Sequence, residues 1–314
     1  MLATSLNRRT ARIVVPATVT LLVLAVLAAF APTFFRLNNM TNVLVQASTL
    51  GVLAIGMTYV MVGGGIDLSI SANVALSAVL GALVMRSGGD PFPGAVVMLA
   101  AALAVGAVNG VAVAYLSMIP FVVTLASMTV AMGACIWVTS SVGVAVPDAF
   151  SDPLLARPLG VPIPVLVLAA VTAAASVILS STIFGRWTYA VGINTRAARV
   201  GRVPVPRVLA STYIMSGLTA GVTAVLLTAR LGSASANMGS DGVVLDVISS
   251  CVVGGVSIYG GSGNAVGAVL GAIFITILSN GLNLMGVSFY FNLIIKGLVI
   301  ITFIAIETAF RRSR

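Results

Sequence analysis

The sequence contains no histidine, only two cysteines and only seven acidic residues among its 314. Without histidine the chain lacks the commonest metal ligand, the usual proton relay and the base of a Ser-His or Cys-His hydrolase. Cys135 and Cys251 both lie in apolar runs, and their spacing fits neither a disulfide framework nor a metal site. We therefore expect no catalytic cluster, no enzyme activity of the chain's own and no cofactor.

Charged residues are also scarce, at 7%, whereas hydrophobic residues make up 59%. A soluble domain carries about 25% charged residues, so this chain has too few polar groups to cover itself in water. We predict an all-α, polytopic integral membrane protein with a single transmembrane domain over residues 1–314, and about ten spans, some short or broken. The predicted spans are 13–35, 44–63, 68–85, 94–116, 120–140, 162–182, 208–229, 243–259, 264–284 and 287–308.

The net charge of +9 comes almost wholly from arginine, with Lys296 as the one lysine. The arginines lie in short segments between spans and do not interleave with aromatic residues, so the positive-inside rule explains them better than nucleic-acid binding does. Six predicted spans separate the first arginine cluster from the second, and four separate the second from the third, so all three clusters and both termini are expected in the cytoplasm. The clusters are Arg8, Arg9 and Arg12; Arg186, Arg196, Arg199, Arg202 and Arg207; and Arg311, Arg312 and Arg314.

A glycine tract with one carboxylate, Val62-Gly63-Gly64-Gly65-Ile66-Asp67-Leu68-Ser69, separates two apolar runs. An ionisable group at membrane depth costs roughly 2.5–3.5 kcal/mol, so Asp67 is expected to have a function. Glycines at such a position let the backbone leave helical geometry, as in the discontinuous helices of transporters. We expect the Asp67 carboxylate to accept hydrogen bonds from the freed N–H groups of Gly63–Gly65, with a substrate hydroxyl as the alternative partner.

An internal repeat links this tract to a second one. Residues Gly64–Ala82 read GGIDLSISANVALSAVLGA, residues Gly254–Ala272 read GGVSIYGGSGNAVGAVLGA, and eight of nineteen positions match at an offset of 190. Paired glycine-interrupted segments in two halves of a membrane chain point to a substrate path. The repeat predicts two related halves, and the sequence leaves open whether they run parallel or inverted.

The basic segment, residues 184–208, reads FGRWTYAVGINTRAARVGRVPVPRV. Asn194 is placed to cap a short helix over Thr195–Val200, which Gly201 ends and the following prolines prevent from continuing. Such a helix could lie on anionic lipid as an anchor or present a knob to a cytoplasmic partner.

Together these motifs resemble the membrane permease subunit of bacterial ATP-binding-cassette importers for monosaccharides, the ribose/xylose/galactose-type family. The resemblance runs from about residue 40 to residue 308. The motifs are Gly64-Gly65-Ile66-Asp67-Leu68-Ser69; Ile119-Pro120-Phe121-Val122-Val123-Thr124-Leu125; Phe184-Gly185-Arg186 with Asn194, Ala197, Ala198 and Arg199; Gly254-Gly255-Val256-Ser257 with Gly260-Gly261-Ser262-Gly263; and Asn280-Gly281-Leu282-Asn283-Leu284 with Ile294-Ile295-Lys296-Gly297.

The resemblance implies a subunit of the bacterial inner membrane that forms a pore with a second copy or a homologue. A periplasmic or lipid-anchored sugar-binding protein would deliver the solute, and a cytoplasmic ATPase would drive import through the basic segment. The sequence agrees in having no Gly-x-x-x-x-Gly-Lys-[Ser/Thr] motif, so ATP is expected on the partner. A related permease for branched-chain amino acids or nucleosides is the alternative. An ion-coupled secondary transporter would need more carboxylates within the membrane, to bind the coupling ion, than Asp67 and Asp246 supply.

Three groups of site residues follow from the motifs and the charges. For the asparagines in or near spans, Asn109 included, interhelical hydrogen bonding is the alternative to lining the path. For the charges on the non-cytoplasmic side, the alternative to docking is a solvated, structural role. The expected translocation path comprises Gly64, Gly65, Asp67, Ser69, Asn73, Phe121, Thr124, Asn280 and Asn283; ATPase coupling comprises Gly185, Arg186, Asn194, Ala197, Ala198 and Arg199; and binding-protein docking comprises Arg86, Asp148, Asp152, Arg157 and Arg230.

Overall fold

The computed structural model describes residue 18, residues 20–86 and residues 90–312. The predictions made for Arg8, Arg9, Arg12 and Arg314, and for the first residues of the span at 13–35, lie outside the described residues.

The described chain is built almost entirely from helices. Two strands of two residues, β1 (Val144–Ala145) and β2 (Ser233–Ala234), form one antiparallel pair. Short 3-10 helices lie at Pro32–Phe35, Pro158–Gly160 and Ala236–Gly239. The α-helices are α1 (Thr20–Phe30), α2 (Leu37–Val62), α3 (Ile70–Met85), α4 (Phe92–Ala114), α5 (Pro120–Thr139), α6 (Asp148–Leu155), α7 (Ile163–Ser181), α8 (Ile183–Ile193), α9 (Thr195–Val200), α10 (Val205–Leu231), α11 (Asp241–Val253), α12 (Ala265–Leu284) and α13 (Phe289–Arg312).

The helices confirm the all-α, polytopic class. In the described part of the chain, seven helical stretches are long and apolar enough to cross a membrane, and α1, α3 and α13 contain shorter apolar helices. Each predicted span overlaps one of these ten. The prediction for 243–259 was wrong at its end, because α11 stops at Val253, where Gly254 and Gly255 turn the chain out of the helix.

Prolines mark where several of the long helices begin. They occupy the first turn of α4, α5, α7 and α10, where the missing N–H group has no partner within the helix in any case. Pro206 is one of them: it lies in the first turn of α10, while Pro204 precedes that helix as its N-cap. The two prolines that end the basic segment therefore also start the next long helix.

Close helix contacts at glycine hold the centre of the bundle together. A Cβ on Gly106 of α4 would lie 2.5 Å from Tyr213 O and 3.0 Å from Gly217 Cα, both in α10. In lipid, no hydrophobic effect drives helices together, and small residues stabilise the bundle by letting helix backbones pack closely. Helix α10 also packs on α2, and Asp67, which follows α2, meets Ser216 of α10. The helices α2, α4 and α10 thus form the frame that positions the first glycine tract.

Candidate functional site

The first helix break is a Schellman turn at the end of α2. Gly65 N donates to Val60 O at 2.9 Å, Gly64 N donates to Met61 O at 2.9 Å, and Gly64 adopts a positive φ of 88°. Gly63 N also donates to Tyr59 O at 3.1 Å, so all three glycine N–H groups bond to carbonyl groups that the end of α2 would otherwise leave without partners. The expectation that Asp67 would hold those groups was therefore wrong, because the last turn of α2 already supplies their acceptors.

The second break repeats the first. Val256 N donates to Cys251 O at 2.8 Å, Gly255 N donates to Val252 O at 2.9 Å, and Gly255 has a φ of 79°. Matching Gly65 with Val256, and Gly64 with Gly255, gives an offset of 191 (256 − 65 and 255 − 64), one more than the sequence match gives. The register differs because the backbone hydrogen bonds that end each helix place Gly64 opposite Gly255, whereas the sequence match pairs Gly64 with Gly254.

The helices that precede the two breaks, α2 and α11, run in the same direction. Cys251 Sγ lies 3.3 Å from Ala54 O, and Gln46 and Asp246 border one cavity nearer the start of both helices. Helices α2 and α11 are therefore side by side and parallel. The repeat left open whether its two copies run parallel or inverted, and the helices that precede the two breaks are parallel.

The breaks touch each other and the basic segment. Gly261 N, in the second break, donates to Val62 O, at the first, at 2.9 Å. At the end of α8, a Cβ on Gly192 would lie 2.6 Å from Gly261 N and would clash with Val62 O. Tyr189 OH, one turn earlier in α8, donates to Gly263 O at 2.6 Å. One short helix thus contacts both breaks.

Asp67 is the centre of a buried hydrogen-bond network. It is 2% exposed, and its Oδ1 accepts from Ser69 N at 3.0 Å and Ser69 Oγ at 2.6 Å. Its Oδ2 accepts from Ser216 Oγ of α10 at 2.6 Å. These three donors hold the Asp67 carboxyl group and fix the first break to α10.

The network continues into α4 and α5. Asn109 Nδ2 donates to Ser69 Oγ at 2.8 Å, and Asn109 Oδ1 accepts from Ser127 Oγ at 2.5 Å. In α3, Asn73 Nδ2 donates separately to Ala102 O of α4 at 3.1 Å. These bonds join the start of α3 to both following helices.

Of the predicted path residues, the structure brings Gly64, Gly65, Asp67, Ser69, Asn73 and Thr124 into one region. Thr124 Oγ1 lies 2.9 Å from Pro120 O and 3.3 Å from Ile66 O. Phe121, in the first turn of α5, is 53% exposed. The described residues around Asp67 include no basic partner, and they contain no group of acidic and sulfur side chains that could hold a metal ion. The hydrogen bonds make this network a structural clamp.

Asn280 and Asn283 do not join this region. Asn280 Oδ1 accepts from Asn39 Nδ2 at 3.0 Å, which ties α12 to the start of α2. Asn283 Oδ1 accepts from Asn292 Nδ2 at 3.3 Å, which ties α12 to α13. Both bonds are interhelical, the alternative that the sequence left open for these asparagines.

The short helix of the basic segment is confirmed. α9 spans Thr195–Val200, Asn194 Oδ1 accepts from Ala197 N at 3.0 Å, and Gly201 follows its end. Ala197 is exposed, whereas Ala198 is 7% exposed and packs on Val191 and Val205. Ala198 therefore holds the segment together and does not face outward.

The remaining coupling residues divide in the same way. Gly185 is buried and its N–H donates to Thr182 Oγ1 at 3.1 Å, which caps α8. Arg186 and Arg199 are exposed. Ile193 and Val200, which the sequence did not single out, are 73% and 86% exposed and give the tip of the segment an apolar surface.

The end of the bundle opposite the basic segment carries the predicted docking residues. The β1–β2 pair joins the two long connections there, and Arg86, Asp148, Asp152 and Arg157 are exposed around it. Arg230 differs: it is only partly exposed and borders a cavity between helices.

Sequence reasoning missed Ser216, Gly192 and the pairing of Lys296 with Asp246. Ser216 and Gly192 are small residues among many, and nothing local marks them. Lys296 carried a usable signal, because a lone lysine inside an apolar helix requires an acidic partner, and Asp246 is one of two carboxylates within spans.

Comparison with known proteins gives a consistent result. The family described as the permease component of the branched-chain amino acid transport system matches residues 39–304. The chain belongs to this family. No solved structure matches it.

Curated relatives within the family cover nearly the whole chain. The ribose import permease protein RbsC of Escherichia coli K12 is 36% identical over 294 residues, which is 91% of each chain. RbsC of Bacillus subtilis 168 is 36% identical over 88% of this chain and 86% of its own. The galactose/methyl galactoside import permease protein MglC of Haemophilus influenzae is 34% identical over 92% of each.

Proposed function

We propose that this chain is the membrane permease subunit of an ATP-driven, binding-protein-dependent importer of a monosaccharide. The observation that carries the proposal is the similarity, over about nine-tenths of both chains, to permeases named for ribose and for galactose. The family description names branched-chain amino acids. The sugar names of the full-length relatives favour a monosaccharide over that alternative.

In the proposed coupling, α8 and α9 form the contact with a cytoplasmic ATPase. The exposed residues Ile193, Ala197 and Val200 provide an apolar tip, flanked by arginines, that suits a groove in a partner. Movement of this tip would reach both helix breaks directly through Gly192. The Asp67 network then transmits it to α4, α5 and α10.

The rest of the proposed assembly follows the family pattern. A second permease copy or a homologue completes the pore within the membrane lipid, and the binding protein docks on the surface that carries Arg86, Asp148, Asp152 and Arg157. Both termini lie in the cytoplasm, and residues 1–314 form one transmembrane domain that binds no nucleic acid and no ATP.

Reconstitution tests the proposal. The permease is placed in proteoliposomes with its neighbouring ATPase and binding protein, and uptake of D-ribose, D-galactose, D-allose and L-leucine is measured. We expect uptake of one sugar that requires both ATP and the binding protein. Uptake driven by a proton or sodium gradient without the ATPase would reject the importer, and uptake of leucine alone would reject the monosaccharide.

A further inference from the structure

A cavity lies between helices α2, α10, α11, α12 and α13, away from the helix breaks. Its volume is about 250 Å³. Sites for drug-sized ligands measure roughly 300–1,000 Å³, so this one suits a smaller molecule. Apolar atoms form most of its surface, Leu50 and Leu227 are among the residues of its wall, and charged and hydroxyl-bearing side chains also border it.

One wall carries charge. Lys296 Nζ lies 2.9 Å from both carboxylate oxygens of Asp246, and the two side chains are 15% and 23% exposed. Arg230 borders the same cavity, and the Lys296–Asp246 pair is the one ion pair that the described residues form. Charges inside a membrane bundle face protein or a water-filled cavity and commonly mark a solute pathway.

Two other residues of the wall have hydroxyl groups without partners. Thr223 Oγ1 and Ser279 Oγ are buried and make no hydrogen bond in the described structure. Nearby Thr276, also in the wall, bonds instead to Ala272 O of its own helix at 2.8 Å. A buried polar group left without a partner is costly, so Thr223 and Ser279 indicate hydrogen bonds that a ligand could complete.

We propose that this cavity is a binding site for a monosaccharide on its way through the permease. The inference rests on the proposed function and adds the place where the solute is held. A sugar hydroxyl both donates and accepts, so it can bond to Asp246, to Lys296 or Arg230, and to the hydroxyls of Thr223 and Ser279. The leucine side chains of the wall contact the C–H faces of the ring.

The test measures protection of a thiol in the cavity wall. Leu50→Cys places the thiol without removing a polar group, and the native Cys135 and Cys251 are both 0% exposed and give little background. The purified full-length permease in nanodiscs is treated with a small polar methanethiosulfonate reagent, with and without D-ribose, D-galactose or D-allose. Leu231→Cys, at a 54% exposed position near the same end of α10 and outside the cavity, is the control.

We expect one of these sugars to slow modification of the Leu50→Cys thiol and to leave the Leu231→Cys thiol unaffected. A Leu50→Cys thiol that the reagent cannot reach, or that no sugar protects although the assembled system imports that sugar, would overturn the inference. Protection by L-leucine in place of the sugars would also overturn it. Because uptake by the assembled system is measured separately, failure of this site is distinguishable from failure of the proposed function.

A matched pair of variants then tests the hydroxyl. Thr223 and Thr228 lie on the same helix, and both have buried hydroxyls without partners, but Thr228 does not border the cavity. In the Leu50→Cys background, Thr223→Val should raise the sugar concentration for half-protection about two- to tenfold, the equivalent of one hydrogen bond. Thr228→Val should leave it unchanged. Equal effects of the two variants would remove Thr223 from the site.

Discussion

The N–H group of Gly261 donates to the carbonyl of Val62 at 2.9 Å, and this bond joins the two helix breaks of the permease. The backbone of Gly192, at the end of α8, packs against both atoms of that bond and leaves no room for a side chain. The part of the chain proposed to contact the ATPase therefore meets both breaks at one point. This arrangement gives a short mechanical route from the proposed ATPase contact to both helix breaks, and it leads to the first prediction.

Gly192→Ala should uncouple ATP hydrolysis from uptake. Its methyl group would have to enter the space occupied by Val62 O and Gly261 N, so α8 must shift or the breaks must separate. Overpacking of this kind typically costs about 1–3 kcal/mol. We expect a lower unfolding temperature of the purified permease and loss of the stimulation of ATPase activity by loaded binding protein.

Gly201→Ala is the control in the same segment. The nearest atom to a Cβ on Gly201 is Ala198 O at 3.4 Å, and the φ of Gly201 is −73°, so alanine fits there. If loaded binding protein stimulated ATPase activity as strongly with Gly192→Ala as with Gly201→Ala, the contact of Gly192 with the two breaks would not couple the ATPase to the permease.

Asp67→Ala should reduce the amount of folded permease, whereas Asp67→Asn should retain much of it. Alanine leaves three donors without an acceptor, namely Ser69 N, Ser69 Oγ and Ser216 Oγ, at about 1–3 kcal/mol each. Asparagine keeps one acceptor oxygen for Ser69, and its NH₂ group can donate to the Ser216 hydroxyl. Size-exclusion profiles and unfolding temperatures measure the difference, with the exposed Asp152→Ala as control.

A sugar-binding role for Asp67 gives a different result. Both variants would then assemble normally, with stimulated ATPase activity and a selective loss of uptake. Normal stability and normal uptake in Asp67→Ala would contradict both roles.

Ala197→Asp and Ala198→Asp should fail in different ways. Ala197 is exposed at the tip of the basic segment, so a charge there should prevent the ATPase from co-purifying while the permease stays folded. Ala198 is buried against Val191 and Val205, so an unpaired carboxylate there should destabilise the permease itself. Leu159→Asp, on a fully exposed residue at the opposite end of the bundle, is the control. Retention of the ATPase by Ala197→Asp would place the contact elsewhere.

Lys296→Met should destabilise the permease more than the double variant Asp246→Asn/Lys296→Met does. The single change leaves a carboxylate without its cation, and breaking a buried pair in this way costs up to about 3–5 kcal/mol. We expect a smaller loss here, because both side chains have some contact with the cavity. The double variant removes both charges and should recover part of the unfolding temperature. If the unfolding temperature of the double variant fell by as much as those of Lys296→Met and Asp246→Asn added together, the two side chains would not interact.

Local chemistry explains why the sequence alone predicted so much of the fold. Apolar runs of sufficient length must be helices where no water can satisfy the backbone, so the all-α class and the approximate spans followed from composition. The helix over Thr195–Val200 was predicted to the residue, because its cap, Asn194, and its terminating Gly201 act within one turn. The glycine tracts likewise located both breaks.

Tertiary structure alone decided which polar side chains bond to each other. Asp67 meets Ser216, Asn280 meets Asn39, and Lys296 meets Asp246, each across a separation that no local rule describes. The register of the two breaks shifted from 190 to 191 because backbone hydrogen bonds, and not residue identity, define where a helix ends. Ala197 and Ala198 are neighbouring residues of the same type. Only the packing of α9 on α8 and α10 exposes Ala197 and buries Ala198. Sequence thus fixes which segments cross the membrane, and the contacts between those segments determine which polar groups meet.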